Sequence, residues 1–200
     1  MVRATRQLLT EYRSATTKIA EIASKDFTSE WASIFDPDFE VVRKNLYEFY
    51  PAKVKQYGLA TSRLSSSTYS AMRVQSGTTG LYRPVLASLP DAAVLKSDVD
   101  YTVGFLFNNI DKPDNAATAL GKIRGNLVER SLQMGRATMY ENVRIDGKTN
   151  GTHVYWAIFP APNCCDWCQA KGDSFRYWSD DTALDTFHRD CRCDVGPQFE

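Results

Sequence analysis

Residues 1–163 contain no cysteine, and the whole chain has only two histidines, His153 and His188. Thiol chemistry is thereby excluded from most of the sequence, and imidazole chemistry from all but its last quarter. Net charge is missing too: 24 basic residues balance 24 acidic ones, so no global field draws the chain onto nucleic acid or an anionic membrane. Any nucleic-acid contact must be local. No run approaches the ~18 apolar residues that a membrane span needs. The opening "MVRATRQLLTEYRS" has no apolar signal-peptide core, which leads us to expect a protein made in the cytoplasm. Phosphate-cradling G-x-x-x-x-G-K-[S/T] and the G-x-S-x-G nucleophile turn are absent as well. Nothing here names an enzyme.

What is present is ordinary globular material, 43% hydrophobic, with helical patterning over the first three-quarters. Leu8, Tyr12, Ala15, Ile19 and Ile22 recur at spacings of four and three, one stripe along a helix. Asp36 and Pro37 give a helix-start signal, Asp as cap and Pro in the first turn, after which Val42, Leu46 and Phe49 face one side. Pro51 is expected to end that helix and open another, carrying Val54, Tyr57, Leu64 and Tyr69 and ending near Gly77. The Gly- and Pro-rich stretch from Gly77 predicts a loop, a short helix from about Asp91, then loop again, with "VDYTVGFLF" as an alternative strand. Asp114 then caps a long helix with a Leu120, Ile123, Leu127 and Met134 stripe. Within it Gly121, Gly125 and Gly135 mark either close helix contacts or weak points.

At "RIDGKTNG" the period changes from 3.6 to 2. "THVYWAIFPAP" alternates and predicts a strand ending before Pro160 or Pro162, while "SFRYWS" and "CRCDVGPQF" are two further strands. The expected architecture is mainly α: long packed helices as one domain over 1–145, and a small α+β zinc-knuckle region, β-rich, over 146–200. A sheet of that size has a thin core.

Five cysteines fall between residues 164 and 193. Zinc takes four thiolate or imidazole ligands in a tetrahedron, and two residues between paired ligands let one tight turn supply both. Cys165-Asp-Trp-Cys168 has that spacing, and His188-Arg-Asp-Cys191 repeats it after 19 intervening residues. Cys193 competes with Cys191, since alternate residues of an extended chain point the same way. The candidate ligands are therefore Cys165, Cys168, His188, Cys191 and Cys193, with Cys164 as a bystander. Four protein ligands close a site to water, so the metal is expected to be structural. Three rival readings remain: a C-x-x-C redox pair, a set of buried apolar cysteines, and a zinc deaminase. The last needs H-x-E and P-C-x-x-C, whereas His153-Val-Tyr lacks the glutamate and Asn163-Cys164 separates Pro162 from the pair. Asp180, Asp181 and Asp185 could hold a cation or line a solvated loop. Trp156, Trp167, Trp178 and Arg176 could stack on bases or cover the zinc site.

"CDWC" at 165–168, "HRDCRC" at 188–193 and Pro197 together resemble the MuF-like minor head proteins of tailed bacteriophages, in the version carried by phages of actinobacteria. "YPAKVKQYGLATSRLSSSTYSAMR" looks like that family's tyrosine- and alanine-rich helix, and "RATMYENVRIDG…VYWAIFPAPNCCDWC" matches its order of helix, strand and knuckle. The likeness covers about residues 46–199. It implies a minor virion component in few copies, non-enzymatic, made in the host cytoplasm and built into the capsid interior through the portal protein. The major capsid protein or a scaffold and DNA are further implied contacts, and DNA packaging or ejection the implied process. It also implies structural zinc on Cys165, Cys168, His188, Cys191 and Cys193. Cys164 departs from the pattern by adding a thiol before the first pair, and we expect a plain structural version without a fused protease or toxin segment. We expect the partner surface on the helices, with Lys53 and Arg63 as probes. The competing expectation is an independent zinc-knuckle module that binds nucleic acid through Lys171, Arg176, Arg189 and Arg192.

Overall fold

The computed structural model describes residues 3–151, 154–160, 164, 166–172 and 193–199. Helix α1 spans Arg3–Ile34, α2 Phe39–Gln75, α3 Ala92–Asn108 and α4 Asn115–Asn150; strand β1 is Val154–Phe159, the short helix α5 Asp166–Gly172, and strand β2 Asp194–Phe199. Helices α2 and α4 pack along each other as the spine. Both α1 and α3 lie against that pair, and the antiparallel β1–β2 sheet packs on α4. The mainly helical expectation holds. The expected strand "SFRYWS" lies outside the described residues, as do His153, Pro162, Asn163, Arg176, Trp178, Asp180, Asp181, Asp185, Arg189 and Arg192.

The buried stripe of α1 runs through Leu9, Tyr12, Thr16, Ala23, Phe27, Trp31 and Ile34. Ile22, expected on it, is 50% exposed because the stripe continues along Ala23 and Phe27 instead. Asp36 and Pro37 precede α2 rather than starting it: Asp38 is the cap and accepts from the Glu40 N–H at 3.0 Å, while Asp36 accepts from the Asp38 N–H at 2.8 Å. The break expected at Pro51 does not occur. A proline inside a helix costs about 3 kcal/mol, but Val42, Leu46, Tyr50 and Val54 form one unbroken, fully buried row across it. Burying each such side chain returns about 1.5–3 kcal/mol, so the helix continues through the proline. It ends at Gln75, near Gly77 as expected, and Gly77 takes a left-handed φ of 75° just beyond it.

"VDYTVGFLF" is helix, neither strand nor loop. Asp91 caps α3 by accepting from Ala93 N–H at 2.7 Å, and Leu95, Val99, Val103 and Leu106 then supply a helical stripe that outweighs β-branched propensity. Asp114 stands at the N-cap of α4 without a side-chain capping bond. That helix also continues through the stretch read as a turn-rich break, so the position drawn between residues 145 and 146 falls inside it. The reason is Asp146, fully buried, whose carboxylate accepts from Tyr69 Oη at 2.9 Å and Arg73 Nε at 2.8 Å, and also from Asn150 Nδ2. These bonds hold the last turns until Gly151, at φ 62°, stops the helix.

Two apolar cores result. One joins Phe27 and Trp31 of α1, Leu46 and Tyr50 of α2, Val99 and Leu106 of α3, and Ile123 and Leu127 of α4. The other joins Tyr12, Tyr69, Met139 and Val143 to the sheet residues Val154, Trp156, Ile158 and Val195. Between them α2 and α4 cross on small and hydroxyl residues. Thr61 Oγ1 donates to the Ser131 carbonyl, Ser62 Oγ to that of Met134 at 3.3 Å, and Ser65 Oγ shares a 2.8 Å bond with Tyr12 Oη. A Cβ added at Gly58 would stand 2.0 Å from Met134 Sδ, and one at Gly135 3.1 Å from Ser65 Oγ. Gly135 is thus a close contact, whereas a Cβ at Gly121 would meet nothing within 4 Å.

Asp98 of α3 accepts from Tyr50 Oη at 2.8 Å and from Arg130 Nε and Nη2, both at 2.9 Å, which ties α2, α3 and α4 together. Lys53 is likewise committed within the fold, 2.5 Å from the Asp26 carboxylate, which also accepts from Tyr57. Those two hydrogen bonds hold Asp26 below the usual carboxylate range. A glutamate at 53 would face Asp26, so Lys53 reports on folding rather than on docking; Arg63 is exposed.

The connection from Ser76 to Asp91 is a strap without regular structure, fixed to the body by buried polar side chains. Arg73 donates to the carbonyls of Gly80 at 3.0 Å and Thr79 at 2.9 Å. Asn142 accepts from Val85 N–H and donates to Val85 C=O, both at 2.9 Å, and Thr138 Oγ1 accepts from Ala87 N–H at 3.0 Å.

Three variants check this packing. In urea unfolding, Gly121→Ala is expected to gain about 1 kcal/mol from helix propensity. Gly58→Ala should lose stability despite the same propensity gain, because Met134 must move. Arg73→Met is expected to cost about 3–5 kcal/mol, as it leaves the Asp146 carboxylate buried without its cation.

Candidate functional site

The strands fold back on each other with Phe159 opposite Asp194 and Val154 opposite Phe199. The end of β1 and the start of β2 therefore stand side by side, so the segment carrying all five cysteines begins and ends at that one edge. Directly paired residues share a face: Val154, Trp156 and Ile158 lie opposite Phe199, Pro197 and Val195. This face packs on Tyr69, Met139 and Val143, with Tyr140 edge-on to Trp156 at 5.8 Å and Tyr69 5.8 Å from Phe199. On the other face Gly196 admits Leu9 of α1, whose Cδ2 would lie 2.9 Å from an added Cβ.

Cys193, immediately before β2, and Cys168, on α5, are both fully buried in this same cluster, and half-buried Cys164 packs against it. The described residues thus bring together two of the five expected ligands. Cys165, His188 and Cys191 lie outside them. Cys164, set aside from the sequence as a bystander, borders the same apolar cluster as Cys168 and Cys193. Among the described residues no group of three or more His, Cys, Asp and Glu is arranged to hold a metal ion. Two buried sulfurs suit zinc as far as they go, because thiolate is its preferred donor and a cation would offset the cost of burying charge.

Two arginines secure this edge, and sequence reading missed both. Arg13 of α1 donates from Nη2 to the Phe159 carbonyl at 2.9 Å and that of Pro160 at 3.2 Å. Arg136 of α4, itself buried, donates from Nε to the Cys193 carbonyl at 3.2 Å. One guanidinium therefore holds each end of the cysteine-bearing segment. Nearby, burial first and the Asp146 carboxylate second push the Tyr82 phenol up to about 12, and the same two causes raise Tyr69 further. Both phenols stay neutral donors. Tyr82 donates to Asn142 Oδ1 at 2.7 Å.

No described helix is long and apolar enough to cross a membrane. A model of a phage-associated protein family matches nearly the whole sequence. The match covers residues 3–200, and the chain belongs to that family, described as VG15 protein. No curated protein and no solved structure matches it.

The arginine anchors predict a local effect. In the double variant Arg13→Met, Arg136→Met, amide exchange over 154–159 and 194–199 should accelerate by at least about tenfold, as about 1.4 kcal/mol of local opening energy would give. Exchange within α3 should stay unchanged in the same mass-spectrometric experiment.

Proposed function

We propose that this chain is a structural minor head protein of a tailed phage, held at the portal inside the capsid and acting in head assembly, DNA packaging or ejection. The observation that carries the reading is membership of a phage-associated family over nearly the whole chain. The fold suits the task. Long helices tied by buried ion pairs make a stiff body. The MuF-like motif residues supply the finer assignment.

Zinc on Cys165, Cys168, His188 and either Cys191 or Cys193 would brace the C-terminal knuckle, a structural role. Binding at such sites is worth on the order of 10 kcal/mol or more in small domains. Cys168 and Cys193 already share one buried cluster.

Mass spectrometry of purified virions is expected to find the chain in the head fraction, far below the major capsid protein in abundance, and missing from heads assembled without portal. Presence only in the host lysate would overturn the reading. Separately, the native mass of the purified chain should exceed its denatured mass by one zinc ion, and Cys168→Ser should abolish the difference.

A further inference from the structure

The strap between α2 and α3 spends buried polar groups on staying in place while turning apolar side chains to solvent. Leu81 is 100% exposed, Leu89 45%, Leu86 43% and Val85 37%. Connections this long without regular structure are uncommon in compact domains and are usually functional. Four exposed apolar side chains gathered on one short, fixed stretch of backbone suit an interaction site. Entropy alone would favour a polar, loose loop here. Instead Arg73, Thr138 and Asn142 fix the strap at Thr79, Gly80, Val85 and Ala87.

The observations also describe the occupant. Val85 and Ala87 turn their N–H groups toward α4, where Asn142 and Thr138 accept them. In an extended chain the residue between points its backbone the other way, and among the described residues Leu86 makes no hydrogen bond through its N–H or C=O. That leaves a backbone edge for an added chain. Arg83 is exposed in the middle of the apolar group, and no described carboxylate pairs with it. It is the one charged residue between Arg73 and Asp91. A segment that covers the strap must therefore bring apolar side chains and a negative charge.

We propose that the strap, residues 78–91, is a docking site for an extended segment of a partner protein that carries apolar side chains and a carboxylate. Main-chain bonds to the open edge give affinity, the leucines give burial, and Arg83 selects an acidic residue. This moves the expected docking surface from the helices to the strap. It does not depend on the virion assignment.

The test uses the full chain and a displayed library of random short peptides. Enriched peptides are synthesised with a fluorescent label and titrated by anisotropy. The expected consensus combines alternating apolar residues with Asp or Glu. Leu86→Ser should weaken binding at least about tenfold, as truncation of an anchor residue does. Arg83→Glu should weaken it several-fold, and changing the peptide's acidic residue to Lys should restore binding to Arg83→Glu. Melting temperatures of both variants should stay at the parent value, because neither side chain is buried. No enrichment, binding that ignores both substitutions, or a preference for basic peptides would overturn the proposal. So would concentration-dependent dimerisation of the parent that Leu86→Ser abolishes, since the occupant would then be a second copy. Absence of the chain from virions would sink the head-protein reading and leave this result standing.

Discussion

The close crossing of α2 and α4 is the constraint on which the other contacts depend. Helix axes approach closely only where side chains are short, and here Gly58, Thr61, Ser62 and Ser65 face Ser131, Met134 and Gly135. Hydroxyls occupy the narrow gap: Thr61 and Ser62 donate to main-chain carbonyls of α4, and Ser65 and Ser131 to carbonyls of their own helices, so the approach leaves their polar atoms satisfied. The consequence is a division of the interior. Large side chains are forced to either end of the crossing, where α1 and α3 close one core and α1 with the hairpin closes the other.

Each core is then held in register by a buried carboxylate with a tyrosine and an arginine as donors. Asp98 receives Tyr50 and Arg130; Asp146 receives Tyr69 and Arg73. Burial foremost, with the neighbouring carboxylate, keeps both phenols protonated well above any physiological pH. Such groups add little net stability over apolar replacements, but each carboxylate has one arrangement that satisfies it. They specify position. A one-turn slip of α4 would part Asp98 from Arg130, and Asp146 from Tyr69 and Arg73.

Helix existence and type were legible because the stripes of α1, α2 and α4 are long and regular. Helix ends were less so, since local breaker signals compete with tertiary burial that sequence does not display. Pro51 lost to the buried row around Tyr50, and the turn-rich tail of α4 lost to the bonds that Asp146 receives from residues more than seventy positions away. "VDYTVGFLF" misled through β-branched residues that a packed helix tolerates. At the candidate site, Cys168 and Cys193 were named as ligands from spacing, and the structure places both in one buried cluster. Arg13 and Arg136 were not, because an arginine that binds a carbonyl across the fold leaves no periodic mark. The strap was visible only as a Gly- and Pro-rich stretch, and its fixed backbone depends on Asn142 and Thr138 of a distant helix.

The sheet register has a consequence for how the chain can change. Because Phe159 pairs with Asp194, the two ends of the cysteine-bearing segment sit one strand spacing apart, about 5 Å, each held by its own arginine. The entropy of closing a segment on fixed ends grows only logarithmically, about 0.6 kcal/mol for each doubling of length. Apart from Cys164 and Cys168, which pack in the cluster beside the sheet, the hairpin ends themselves set little limit on the length of the segment they carry. Lineages could lengthen, shorten or exchange that segment while the same body is inherited intact.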